Sequence, residues 1–157
     1  MATNGHGSSG YTVPLLIDGK EVTTSTTFDV TSPSTGEVIW KSSSASKDDV
    51  LSAIAAAEKA GPAWAKTKPA ERRTILLKAA DLLAARKEDS LKWLDEETGA
   101  KPPFADLVFD STVELLRDVA GKIATALEGE IPVCAQEGTH ALLVKEPYGV
   151  NFSIAPW

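Results

Sequence analysis

Cysteine is almost absent from this 157-residue sequence, and its scarcity narrows the possible chemistry. The single cysteine, Cys134, has no second cysteine with which to form an internal disulfide, so a disulfide-stapled secreted scaffold is excluded. One cysteine and two well-separated histidines also cannot complete a zinc site. This usage favours a reducing compartment, and we expect the protein to be cytoplasmic.

The sequence also has fewer positive than negative charges and no long apolar run. Lys and Arg number 16 against 22 Asp and Glu, which gives a formal net charge of -6 and no basic stripe for nucleic acid. No apolar stretch approaches the roughly 20 residues that cross a bilayer as a helix, so no membrane partner is expected. The opening MATNGHGSSG lacks the basic start and apolar run of a secretory signal, and we expect residues 1–10 to form a flexible tail.

Standard catalytic motifs are missing as well. The sequence contains neither GxGxxG nor GxxxxGK[ST], the two common backbone cradles for phosphates. Cys134 lies in IPVCAQEG without a cationic neighbour, so a small structural residue is favoured over a nucleophile paired with His140. Nothing in the spacing of the candidate acids pairs them, and we expect most to be solvated: Glu37, Glu71, Asp81, Glu114 and Glu146. The residues alone therefore predict no catalytic site and no metal site.

The hydrophobic content of 43% is enough for a folded core, and the first forty residues are rich in β-formers. Asp18-Gly19 between YTVPLLI and KEVTTSTTFDV predicts a β-hairpin. EVIWKSS, after a turn at residues 32–36, is expected to form a further edge strand. The start of the domain is therefore predicted to be β-structured.

Helical periodicity begins at Ser46, which with Asp49 resembles a capping box. This first helix is expected to end near Ala60, before Gly61-Pro62, leaving Trp64 in a loop that packs on the core. Further helices are predicted over TKPAERRTILLKAADLLAARKEDS, over a segment ending at Gly99, and from about Phe104 to Leu127. The residues expected to face inward are Ile75, Leu76, Ala79, Leu82 and Leu83, and later Leu107, Val108, Leu115, Leu116, Val119, Ile123 and Leu127.

Two strands, HALLVKE and YGVNFSIAPW, are predicted to close the chain. The fold class is thus α/β, or α+β for the chain by itself: an N-terminal hairpin, a helical middle and C-terminal strands. No composition break marks a second domain, so residues 11–157 are expected to form one incomplete domain. Asn151 and Ser153 are unusual in a buried strand, where a polar side chain is costly without partners.

The order of several segments resembles the N-terminal portion of the aldehyde dehydrogenase superfamily. These segments are LLIDGKEV, SPSTGEVIW, AIAAAEKAGPAWAKTKPAERRTILLKAADLLAARKEDSLKWLDEETGAKP, GEIP and VKEPYGVNFSIAPW. The resemblance runs from Leu15 to Trp157 and is closest to fungal and bacterial members that act on salicylaldehyde or vanillin. It implies a partial aldehyde dehydrogenase fold.

This resemblance also implies a cofactor contact at the end of the chain. The family carries an Ile-x-Pro-Trp-Asn motif in its NAD or NADP pocket, and the matching residues here are Ile154, Pro156 and Trp157. The family's nucleophilic Cys, its Glu base and most of its cofactor site lie beyond the position matching Trp157. Cys134 does not match the nucleophile, so we expect this chain alone to bind no cofactor and to be inactive as a dehydrogenase.

Three hypotheses follow for the role of the chain. The first is a truncated aldehyde dehydrogenase whose activity belongs to a full-length protein. The second is a stand-alone, repurposed family member with a non-redox enzymatic or accessory role in a biosynthetic pathway. The third is a non-enzymatic interaction domain. Helix faces that evolved to cover a cofactor domain would be apolar and exposed, so we expect self-association or a protein partner that covers them.

Overall fold

Five short strands precede four helices in residues 10–155, the part of the chain that the computed structural model describes. The predicted tail at residues 1–10 lies outside this part, except for Gly10. The strands are β1 (Thr12–Val13), β2 (Leu15–Ile17), β3 (Lys20–Val22), β4 (Thr27–Thr31) and β5 (Val38–Ser43). The helices are α1 (Lys47–Ala65), α2 (Pro69–Ala84), α3 (Lys87–Thr98) and α4 (Phe104–Ala126).

The predicted hairpin is confirmed. Strands β2 and β3 pair antiparallel, and Asp18 and Gly19 between them take positive φ values of 52° and 70°, as a type I′ turn requires. Strand β5 is not the edge strand expected from the sequence. It lies between β1 and β4, parallel to the first and antiparallel to the second. Because β5 pairs on both edges, it is the central strand of this sheet. Its Trp40 is buried, with 8% of its surface exposed.

Helix α1 begins as predicted and ends later. Ser46 and Asp49 form the capping box: the Ser46 amide donates to Asp49 Oδ2 at 2.8 Å, and the Asp49 amide donates to Ser46 Oγ at 3.2 Å. The expected stop near Ala60 is wrong, because the helix continues through Pro62 to Ala65. Pro62 has no amide to donate within the helix. The last turn instead accepts hydrogen bonds from the Arg72 guanidinium at the Trp64 and Ala65 carbonyls.

Arg72 of α2 donates hydrogen bonds to the C-terminal end of α1. Its Nη2 donates to the Trp64 carbonyl at 2.9 Å and its Nε donates to Thr67 Oγ1 at 2.8 Å. The guanidinium also lies over the Trp64 ring, 5.1 Å from the centroid. Trp64 therefore lies in the last helical turn, about half exposed, rather than in a loop packed on the core.

The core lies where α2 packs against α4. Ala80, Phe109 and Val113 are buried, with Leu83, Ala84, Leu91 and Leu116 packed around them. Several residues expected to face inward are instead more than two-fifths exposed: Ile75, Leu82, Leu107, Leu115, Val119 and Leu127. Both helices carry apolar residues around more than one face, and Ala80 has no side chain beyond Cβ, which lets the backbones approach on its side.

The two predicted C-terminal strands are not formed within the described residues. Residues 127–155 are extended or irregular, and their β-pairing in that range is one antiparallel bridge between Glu130 and Leu143. A strand is defined by hydrogen-bonded neighbours, and the described part of the chain offers this segment no further neighbour. The predicted α/β class is nevertheless confirmed by the five strands and four helices of the described residues. No helix in residues 10–155 is long and apolar enough to cross a bilayer.

Candidate functional site

The segment that ends in the predicted cofactor-contacting residues is extended and open. Tyr148 is fully exposed, and Phe152 and Ile154 are 88% and 76% exposed. Gly149 has a φ of 97°, a conformation that side-chain-bearing residues rarely adopt. Asn151 donates from Nδ2 to the Gly149 carbonyl at 3.0 Å, so its amide is partnered locally and exposed rather than buried.

Of the three predicted cofactor residues, the structure places Ile154 alone. It is exposed, two residues beyond Phe152 on the same extended segment. Pro156 and Trp157 lie outside the described residues. The contact of Ile154, Pro156 and Trp157 with a dinucleotide therefore stays a prediction.

Two hydrogen-bonded contacts tie this segment to the end of α4. Glu130 and Leu143 exchange backbone hydrogen bonds of 3.0 and 2.8 Å. Lys145 Nζ donates to the Ala126 carbonyl at 3.1 Å, which places a positive charge at the C-terminal end of the helix. The segment is thus anchored at residues 143–145.

Cys134 has none of the surroundings of an activated thiol in the described residues. Its Sγ lies 3.9 Å from the Pro132 carbonyl oxygen, its one hydrogen-bonding contact there, and the residue is partly buried. His140 is exposed in the connector that follows. Residues 10–155 also contain no cluster of three His, Cys, Asp or Glu side chains that could hold a metal ion.

A charged cluster lines a shallow groove of about 210 Å³ beside α4. Lys87 Nζ donates to both Asp110 carboxylate oxygens at 2.8 and 2.9 Å and lies 3.1 Å from Asp106 Oδ1. These hydrogen bonds to Asp110 and Asp106 raise the pKa of Lys87. The ammonium also faces the Phe109 ring at 5.7 Å. Lys87 therefore links the start of α3 to α4 as a stable cation, not as a reactive amine.

Arg117 brings together two acids that the sequence did not pair. Its Nη1 donates to Glu114 at 2.8 Å and its Nη2 to Asp81 at 3.4 Å, and these bonds raise the pKa of Arg117. Asp81 lies on α2, so the arginine bridges the two core helices. No sequence spacing signals this contact, which depends on how α2 and α4 pack. Both acids are exposed and charge-paired with Arg117 on the surface of the helix pair.

Comparison with solved structures defines the class of fold. The NAD-dependent aldehyde dehydrogenase from Sinorhizobium meliloti superposes with a TM-score of 0.79 and 34% identity, over 88% of this chain and 28% of that one. A salicylaldehyde dehydrogenase from Pseudomonas putida G7, solved with salicylaldehyde, gives 0.79 and 28% identity, over 87% of this chain and 28% of that one. The fold is thus part of an aldehyde dehydrogenase fold.

The sequence comparison then names the family. The aldehyde dehydrogenase family matches residues 21–157, and the chain belongs to that family. Among curated relatives, the vanillin dehydrogenase from Pseudomonas sp. strain HR199 is 39% identical over 149 residues, covering 94% of this chain and 31% of that protein. The resemblance noted in the sequence is therefore confirmed. The chain spans about 30% of the length of the curated relatives it matches.

Proposed function

We propose that this chain is the N-terminal framework of an enzyme that oxidises an aldehyde to a carboxylic acid with NAD or NADP. Relatives named for vanillin and salicylaldehyde support an aromatic aldehyde as the substrate class. In this proposal Ile154, Pro156 and Trp157 contact the dinucleotide. The working compartment is the cytoplasm, in keeping with the single unpaired cysteine.

The chain by itself is proposed to be inactive, because the reaction needs groups that its described residues do not bring together. A thiolate must attack the carbonyl carbon, hydrogen-bond donors must hold the resulting oxyanion, and the hydride must pass to the nicotinamide. A base must then activate the water that releases the acid. The observation that supports inactivity concerns Cys134, the one thiol of the sequence. Its hydrogen-bonding contact in the described residues is the Pro132 carbonyl rather than a base.

A spectrophotometric assay tests this proposal. The purified chain is mixed with vanillin or salicylaldehyde and with NAD or NADP, and absorbance of the reduced nicotinamide is followed. We expect no rate above that of heat-treated protein. The variant Cys134→Ser serves as the matched control, because it removes the one thiol and conserves its size. A heat-labile rate that Cys134→Ser abolishes would overturn the proposal.

A further inference from the structure

Helix α1 is attached to the described part of the chain without a buried side chain of its own. None of its 19 residues is buried. Its larger apolar side chains are 41–52% exposed, namely Val50, Leu51, Ile54 and Trp64. Helix α2, by contrast, buries Ala80 in the core. Burial therefore fixes the position of α2 and leaves the orientation of α1 to other contacts.

Residues 66–68 join the two helices, and we call them the hinge. At the end of α1 the Lys66 amide donates to the Ala63 carbonyl at 3.2 Å. At the start of α2 the Lys68 amide donates to Glu71 Oε2 at 2.8 Å. Because each helix end is completed by local bonds, a change in the backbone torsions at Thr67 can rotate α1 without unfolding either helix.

Arg72 closes this hinge from the α2 side. Besides its bonds to the Trp64 carbonyl and Thr67 Oγ1, its Nη2 lies 3.4 Å from the Ala65 carbonyl oxygen. Thr67 Oγ1 in turn donates to the Trp64 carbonyl at 2.6 Å. Within residues 10–155, the hydrogen bonds from α2 to α1 all come from this one arginine. We call Arg72, Thr67 and Trp64 the latch.

The latch depends on the shape of a guanidinium group. Nε and Nη2 of Arg72 donate to two different oxygens, while the flat face of the group lies over the Trp64 ring. A lysine ammonium has no fixed fork of donors and cannot reproduce this arrangement. Both acceptors are neutral, one a carbonyl and one a hydroxyl, so the latch is not an ion pair and salt should weaken it little.

We infer that Arg72 is a positioning residue: it holds α1 at a fixed angle to α2, and α1 rotates about the hinge as an intact helix when the latch opens. A helix with no buried side chain lies at the low end of local stability, so a few polar contacts decide its orientation. Helix α1 also approaches β2, whose central residue Leu16 is 73% exposed, so little surface is buried there. The inference concerns the conformation of the chain and does not depend on aldehyde chemistry.

Double electron–electron resonance measures the orientation of α1 directly. Nitroxide labels are placed at Ser52→Cys on α1 and Lys78→Cys on α2, both exposed positions, in a Cys134→Ser background that leaves no other thiol. We expect one narrow distribution of distances for this labelled parent chain. Arg72→Gln should broaden the distribution at least twofold, while circular dichroism shows unchanged helix content.

Further variants separate the shape of the guanidinium from its charge. Arg72→Lys keeps the charge and should broaden the distribution nearly as much as Arg72→Gln. Thr67→Val removes the hydroxyl at nearly constant volume and should broaden it less, because the bond from Arg72 to the Trp64 carbonyl stays. Arg73→Gln, at an exposed position next along α2, is the matched control and should leave the width unchanged. If Arg72→Gln lowers the helix content, Thr67→Val decides the test.

Three results would overturn the inference. A distribution that is already broad in the parent chain would show that α1 is not held. An unchanged width in Arg72→Gln with intact helices would assign the orientation to the approach of α1 to β2, and a lowered urea midpoint in that variant would then give Arg72 a stabilising role alone. Equal broadening in Arg73→Gln would assign the effect to lost charge rather than to the latch.

Discussion

Gly129 lies against the backbone of Leu143 so closely that a Cβ at position 129 would collide with the Leu143 carbonyl oxygen. That oxygen accepts the Glu130 amide, in the bridge that joins residues 141–155 to the connector that follows α4. Only a residue without a side chain permits this approach. The position of residues 141–155 therefore depends on one glycine.

Gly129→Ala should break the bridge, because the carbonyl that must move is backbone rather than a flexible side chain. We expect faster hydrogen exchange at the amides of residues 130 and 143 and a loss of about 1–3 kcal/mol in local stability. Gly121→Ala is the control: it lies inside α4 with open space at its Cβ position, so it should be neutral or stabilise the helix. Equal exchange rates in wild type and Gly129→Ala would contradict the geometry.

The α2–α4 core makes a second prediction. Phe109 is 5% exposed and lies beside Ala80 and Val113, so Phe109→Ala should cost about 3–5 kcal/mol in the free energy of unfolding. Leu107→Ala, on the same helix but 64% exposed, should cost under about 1 kcal/mol. Urea denaturation of the two variants measures the contrast. Comparable losses would mean that the helix buries a different face.

Helix α4 also shows how much could be predicted from sequence. Its existence and approximate ends were predicted, as were the capping box at Ser46, the Asp18-Gly19 turn and the Gly99 cap, because each depends on residues close together in the chain. The buried face was predicted wrongly in part, since Leu107 and Phe109 are equally apolar and only the packing of α2 decides between them. The ion pair between Arg117 and Asp81 depends on the same packing, whereas Glu114 lies one helical turn from Arg117 on α4.

The candidate site was predictable only through resemblance. Ile154 lies in an open segment and is 76% exposed, so neither composition nor its local surroundings mark it as a cofactor contact. Its partners in the motif, Pro156 and Trp157, lie outside the described residues. The strands predicted over HALLVKE and YGVNFSIAPW are not formed in the described residues, because a strand depends on a neighbouring strand as well as on the segment's own sequence.

The capping box gives a prediction that depends on pH. Its hydrogen bonds from the Ser46 side chain and backbone lower the pKa of Asp49. Because folding lowers this pKa, the ionised Asp49 side chain stabilises the folded state above the ordinary Asp pKa. This stabilisation is lost as pH falls through the lowered pKa. Asp49→Asn should therefore lower the melting temperature at neutral pH, and its difference from wild type should vanish in acid. A difference that persists at low pH would show that the cap does not depend on the charge.

Ser46→Ala removes the other half of the same box. The Asp49 amide loses its acceptor at Ser46 Oγ, so the helix should lose about 1 kcal/mol, measured by urea denaturation. Ser52→Ala, at an exposed position within α1, is the matched control and should leave stability unchanged or slightly raised. An equal effect of the two substitutions would contradict the assigned cap.

Lys87 gives the complementary alkaline prediction. Hydrogen bonds from the Lys87 ammonium to Asp110 and Asp106 raise the pKa of Lys87. The charged side chain therefore stabilises the folded state fully below the ordinary Lys pKa, and this stabilisation is lost as pH rises through the raised pKa. Lys87→Met should lower the melting temperature by a few degrees at neutral pH, less so in high salt, and have no effect in strong alkali. Lys78→Met, on an exposed part of α2, is the control. An effect that ignores pH and salt would assign the role of Lys87 to packing alone.

Product analysis in a single-turnover mixture is the sharpest check on the proposed inactivity of the chain, because it detects chemistry too slow for a steady-state assay. The purified chain, vanillin and NAD are incubated at equal concentrations, and the acid is quantified by mass spectrometry against a heat-treated control. We expect no vanillic acid above that control. Acid formed in proportion to the native chain, with matching reduced nicotinamide, would contradict it.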